Sequence, residues 1–207
     1  MLRILGKPIS INVRKVLWLS EELGLAHELE PWGAGHRDTN TPEFLALNPN
    51  ALVPVLVDGD VVLWESNTIC RYLAGKHGRD DLLPRGPVAR ARVEQWMDWQ
   101  AGDLNNAWRY AFMGLVRRSP AHQDAQAIQA SAASWNRHMA ILEGQLQKTG
   151  PFVTGPAFTL ADIGLGLSVN RWLMTPIERP DLPRVQAYND LLATRTGFRL
   201  HGCNGTP

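Results

Sequence analysis

Val53-Pro54-Val55-Leu56-Val57-Asp58-Gly59-Asp60-Val61-Val62-Leu63-Trp64-Glu65-Ser66-Asn67 reads as a strand opening on proline, a tight turn, a second strand and a helix start. Proline cannot donate to a sheet ladder, so its place at the head of an apolar run marks a strand start or a special turn. A cis Val53-Pro54 bond fits there and would turn the Val53 amide and carbonyl outward, where an extended ligand could pair as an added strand. Ser66 is read as a helix N-cap, and the free amides of the following turn favour a carboxylate. Together these features point to recognition of a small peptide.

Outward from this stretch, Leu2 to Leu5 reads as a short strand and Gly6 to Ser10 as a loop feeding a helix over Ile11 to Leu23, stopped by Gly24. His27 to Trp32 alternates as a second strand, Gly33 to Thr41 is a surface loop, and a short helix over Pro42 to Leu47 follows. The hairpin across Asp58-Gly59-Asp60 and a helix from Asn67 to His77 complete the order βαβ, α, ββ, α, a small α/β domain over residues 1–79. Parallel pairing of the first two strands needs a crossover, and the amphipathic helix supplies it.

Arg79 to Pro87, with two prolines and a glycine, reads as the linker. From 86 to 207 only helix signals remain, giving an all-helical second domain. Apolar and aromatic residues at helical spacing run from Pro87 to Arg118 as one long, bent helix; Ala121 to Lys148 is the next. Thr159-Leu160-Ala161-Asp162 opens a third with a capping box, so Asp162 is expected to be structural. Pro180 to Thr196 is the last helical stretch, and Gly202, Gly205 and Pro207 suggest a mobile tail.

Composition narrows the partners. The 207 residues carry 21 Lys+Arg against 20 Asp+Glu, a net charge of +1 without blocks of like charge, which disfavours a nucleic-acid or membrane surface and predicts a small or neutral partner. Cys70 and Cys203 lie too far apart for a Cys-x-x-Cys motif or metal-ligand spacing, so no metal is expected, and the chain reads as cytoplasmic and reduced. No apolar run reaches the roughly 20 residues of a membrane span.

Four motifs, taken together, resemble the cytosolic glutathione transferase family. They are Ser10-Ile11-Asn12-Val13-Arg14-Lys15-Val16, Asn48-Pro49 followed by Val53-Pro54-Val55-Leu56, Glu65-Ser66 with Ile69 and Tyr72-Leu73, and Thr159-Leu160-Ala161-Asp162-Ile163. The Ser-using, theta-like and phi-like branches look closest. The resemblance implies a thioredoxin-like first domain, a helical second domain, a homodimer and glutathione as co-substrate, conjugated to a small hydrophobic electrophile in detoxification. It also implies roles. Ser10 stands where the family places its catalytic hydroxyl, with Asn12 as the alternative group at the sulfur. Val53 binds the cysteinyl backbone through its own main chain and Pro54 sets that geometry. Glu65 and Ser66 hold the γ-glutamyl end, and for the glycyl end, where the family often uses His, Lys or Gln, the matching positions are Thr39 and Asn40 with His36 a few residues upstream, a departure that leaves no obvious cationic partner. Trp108 and Tyr110 are expected in the electrophile pocket.

The chemistry gives Ser10 a reason. A thiol of pKa about 8.5 is only about 3% thiolate at pH 7, and lowering it by roughly two units takes about 2.7 kcal/mol. A neutral hydroxyl can supply part of this and the first amides of the Ile11 helix the rest; the competing role for Ser10 is a plain N-cap. Two alternatives share the scaffold: glutathione-dependent disulfide or peroxide reduction, and non-catalytic ligand binding.

Overall fold

In the computed structural model, which describes residues 1–207, the first 76 residues form a four-stranded sheet with three helices and the rest is helical. Strands β1 (Leu2–Gly6), β2 (His27–Pro31), β3 (Val55–Asp58) and β4 (Val61–Trp64) lie in the order β2-β1-β3-β4. β1 and β2 pair in parallel, Leu2 opposite His27, with helix α1 (Ile11–Leu23) as the crossover. β3 runs antiparallel to both β1 and β4, with Leu56 opposite Ile4 on one side and Leu63 on the other. The short α2 (Pro42–Leu45) is capped by Thr41, and α3 (Ser66–Lys76) follows β4 directly. Glu65, with φ 70, makes the turn between them in the left-handed region that non-glycine residues rarely occupy. Ser66 is therefore the first helical residue rather than the N-cap expected from the sequence.

The long helix predicted over 87–118 is α4 (Pro87–Trp99) and α5 (Asn105–Leu115), joined by a π-helical turn over Gln100–Leu104. α6 (Ala125–Thr149), α7 (Leu160–Met174), α8 (Pro183–Leu192) and α9 (Thr196–His201) complete the chain. α7 is buried almost all round, as its run of small and apolar residues from Leu160 to Trp172 requires. The Asp162 carboxylate accepts from the amides of Val153 (3.1 Å) and Thr159 (2.8 Å) and from the Tyr188 hydroxyl (2.9 Å), joining three segments at the head of α7.

One apolar core runs through the sheet half and the helical half. Trp18 on α1 is its pin: fully buried, with ring centroids 5.0 Å from Phe198 and 5.8 Å from Phe158. Gly166 and Gly197 leave the room it needs, since a Cβ at Gly197 would sit 2.2 Å from the indole. The tail expected to be mobile is instead tied down. Arg14, buried on α1, donates to the carbonyls of His201, Gly202 and Pro207, and Asn170 donates to that of Thr206. A fully buried guanidinium needs such acceptors, and backbone carbonyls of the last residues provide them.

Candidate active site

The head of α1 faces a cleft of about 680 Å³ between the sheet half and α5, with Ser10, Asn12, Leu52 and Trp108 among its walls. A second, smaller cavity of about 260 Å³ continues from it past Asn12, Ala101 and Asn105 to Glu65, Ser66 and Lys15. Asn12 thus stands at the junction. The structure brings together Ser10, Asn12, Glu65, Ser66 and Trp108, drawn from α1, the β4–α3 turn and α5.

Ser10 has the extended backbone of an N-cap, yet its hydroxyl makes no capping hydrogen bond. It is half-buried, at the end of a helix whose first amides carry partial positive charge. Asn12 Oδ1 accepts a long hydrogen bond, 3.4 Å, from the Ser66 hydroxyl. In α3 the first bond to the Glu65 carbonyl is made by the Ile69 amide (2.9 Å), so the amides of Ser66, Asn67 and Thr68 are the free donors of that helix end. Ser66 itself is buried.

The Val53-Pro54 bond is cis. Neither the N–H nor the C=O of Val53 is engaged by another backbone group. The loop leading to it is shaped by buried Asn48, whose amide donates to the Leu52 carbonyl at 2.7 Å while its oxygen accepts from the Asn50 amide at 3.0 Å. This is the physical content of the Asn48-Pro49 motif. An asparagine at that point fixes the approach to Pro54.

Beneath Ser66 lies a polar network that no motif announced. The Lys15 ammonium donates to Gln100 Oε1 (2.6 Å) and Asn67 Oδ1 (3.2 Å), and Gln100 donates on to Ser168 (2.9 Å) and Asn105 (3.1 Å). Burial pulls the Lys15 pKa down to about 8, because the network offers it amide oxygens and no carboxylate. Gln100 reaches these partners from the π turn, a helix irregularity frequent at functional sites and invisible to a 3.6-residue pattern. Gly164 allows α7 to approach: a Cβ there would lie 3.1 Å from Gln100 Oε1.

Five expected residues line neither cavity: Val53 and Pro54, whose neighbour Leu52 borders the larger one, and Tyr110, His36 and Asn40, which are placed elsewhere. Tyr110 lies off the cleft, its ring centroid 4.9 Å from that of His122 and its hydroxyl accepting from the Asp124 amide at 3.4 Å. Two residues beyond Trp108, a side chain on a helix is rotated by about 200°, so only one of the pair can face the cleft. His36 and Asn40 are exposed and line neither cavity. Their loop is folded on itself: the His36 amide donates to Gly33, and the Asn40 side chain and amide both donate to Asp38. Its Ala34 borders the cleft, as does Lys7 from the β1–α1 loop. Lys7 was missed because nothing local distinguishes it from a solvated lysine. Cys70 is buried, and desolvation pushes its thiol up to about 12. No cysteine lines either cavity.

Residues 9–76 match the family model described as glutathione S-transferase, N-terminal domain. Over 201 residues the chain is 37% identical to glutathione S-transferase GstB of Escherichia coli strain K12, covering 96% of each chain. The chain belongs to the glutathione S-transferase family. It is also 33% identical to glutathione S-transferase 3 of Zea mays, over 96% of this chain and 91% of that one. Among solved structures, the theta class glutathione S-transferase from Xanthomonas axonopodis pv. citri with glutathione bound superimposes with a TM-score of 0.91, at 38% identity, over 97% of this chain and 96% of that one. The thioredoxin-like first half, the helical second half and the transferase activity expected from the sequence hold for this family member. No helix is long and apolar enough to cross a membrane.

Proposed function

We propose that this glutathione transferase binds reduced glutathione from the small cavity to the large one and presents its sulfur, as thiolate, at Ser10. Residues 1–79 then act as the glutathione-binding domain and 86–207 as the electrophile-binding domain. The γ-glutamyl carboxylate takes the free amides of α3 and the Ser66 hydroxyl, while Glu65 faces the ammonium. The cysteinyl unit pairs with the open main chain of Val53 beside Pro54, as an added strand would. From there the sulfur reaches the head of α1, where the Ser10 hydroxyl, the Asn12 amide and the helix amides stabilise negative charge. The glycyl carboxylate extends toward Lys7 and Ala34 rather than His36 or Asn40.

The observation that carries this reading is the Ser10 hydroxyl: it stands at a helix start, caps nothing, and lines the cleft. A structural N-cap would bond its own helix. Purified protein assayed with glutathione and 1-chloro-2,4-dinitrobenzene tests it. Ser10→Ala is expected to lose roughly 10²- to 10³-fold in kcat/KM, the usual cost of one anion-stabilising donor, and to raise the pKa seen in the rate. Unchanged turnover would move the assignment to Asn12, for which Asn12→Ala is the matching variant. Replacing the aryl halide by an organic hydroperoxide or a mixed disulfide separates conjugation from reduction.

We further propose a homodimer. Edge strand β4 leaves Val61, Val62 and Trp64 partly exposed, a face that a second copy could cover. Light scattering on the eluting protein reads the mass directly.

A further inference from the structure

The large cleft is lined by four cations, Lys7, Arg109, Arg117 and Arg171, and by no carboxylate. Three of them lie on its helical side. Arg171 is the unusual one: it projects from α7, is only 3% exposed, and pairs with no side-chain carboxylate. Its Nε is buried without a partner, and its one hydrogen bond is a long one, 3.4 Å, to the oxygen of Pro207, the last residue, which Arg14 holds more closely at 3.2 Å. The guanidinium carbon sits 4.0 Å from the Phe112 ring centroid and 4.5 Å from that of Trp108. The two rings stand at 80° to one another with centroids 5.4 Å apart, so they pack against one side of the guanidinium rather than sandwich it, and its N–H groups, the unpartnered Nε among them, are the part able to bind.

We infer that the electrophile this cleft accepts is an anion, an apolar or aromatic molecule bearing a carboxylate that the edge of Arg171 receives. The inference rests on the transferase reading above and names its second substrate. A buried cation facing no side-chain carboxylate is costly, and a ligand carboxylate supplies charge and acceptors beyond the single oxygen of Pro207 that it shares with Arg14. Burial draws Arg171 down to about 9, with repulsion from Arg14 and Arg117 adding to it. Trp108, Phe112 and Met113 hold the apolar part, while Arg117, bonded to the Ile9 carbonyl at 3.3 Å, keeps the mouth positive. The competing role for Arg171 is to fasten the tail, but Arg14 already does so with three carbonyl contacts.

Two electrophiles of one shape test this: 4-chloro-3-nitrobenzoate and 4-chloro-3-nitrobenzamide. In each, the thiol proton is lost to solvent, sulfur forms a bond to the carbon bearing chlorine, and chloride leaves with the electrons of the broken bond. Each kcat/KM is divided by the rate constant of the uncatalysed reaction with glutathione. The carboxylate is expected to be favoured by roughly tenfold or more, the scale of a charged hydrogen bond, mostly through KM. Arg171→Gln is expected to collapse that ratio and Arg171→Lys to retain part of it. A ratio near one in the unaltered protein, or equal loss on both electrophiles in Arg171→Gln, overturns the inference and leaves the transferase reading standing. Turnover of neither electrophile, with no glutathione binding by calorimetry, overturns both. Should the Arg171 variants fail to fold, competitive inhibition of the unaltered protein by 4-nitrobenzoate against 4-nitrobenzamide decides it: equal inhibition overturns the inference and preference for the acid supports it.

Discussion

The two walls of the site are built on opposite principles. On the α1–α3 side, charged and polar groups are tied into one another: Lys15 to Gln100 and Asn67, Asn67 to the Met97 carbonyl, Ser66 to Asn12. On the α5–α7 side, cations stand beside aromatic rings with no side-chain carboxylate among them. A wall that must hold one constant ligand can be fully preorganised. A wall that receives a variable one leaves its charge to be completed by the substrate.

If that contrast is right, perturbing the organised wall should change glutathione handling most. Ser66→Ala removes a donor to a charged group and is expected to raise KM for glutathione roughly 10- to 100-fold, with the smaller part of the effect in kcat, as steady-state kinetics at fixed aryl halide will show. Gln100→Leu keeps the shape of the π turn but strips Lys15 of its shortest bond, and Ser168 and Asn105 of a donor. An expected loss of about 1 to 3 kcal/mol in urea unfolding follows from leaving such groups unsatisfied.

The network also has a pH signature. Lys15 titrates near 8 in the folded chain, well below the ordinary lysine value. Between those two values the unfolded chain holds a proton that the native one lacks, so this group makes stability rise with pH from about 8 upward. Cys70 acts in the opposite sense above pH 9, because its folded pKa is raised from 9.0 to about 12. Unfolding curves of the parent chain and Lys15→Met, compared across pH 7.5 to 9, should therefore diverge, with only the parent gaining stability. Smallest of all, Lys7→Ala is expected to raise KM for glutathione by roughly two- to fivefold and to flatten its salt dependence, the scale of an exposed charge pair. A flat response would return the glycyl end to the His36 loop.

Local chemistry made most of the organised wall readable from sequence. Pro54 after Val53, Glu65-Ser66 after a strand and the capping box at Thr159 are short-range signals whose physics acts within a few residues. The capping box shows this well, since Asp162 does bind the Thr159 amide. What stayed hidden is long-range. Lys15, Gln100 and Ser168 lie 85 and 68 positions apart along the chain, and no pattern in any one helix foretells their meeting. Tyr110 fails for a local reason: two positions from Trp108 on the same helix α5, it faces the other way. The tail was misread because glycines signal freedom, whereas buried Arg14 supplied the constraint from across the molecule.

That π turn acts as a phase shifter. Its five residues, Gln100–Leu104, close hydrogen-bonded loops one residue longer than those of the helices on either side. Deleting a single residue there, Gly102 for instance, would let α4 run straight into α5 and rotate everything beyond it by about 100°. Trp108 would swing out of the cleft, while Trp96 and Trp99 upstream kept their places. A one-residue change in length would thus present a new helix face to the second substrate and at the same time pull Asn105 away from Gln100 on the glutathione side.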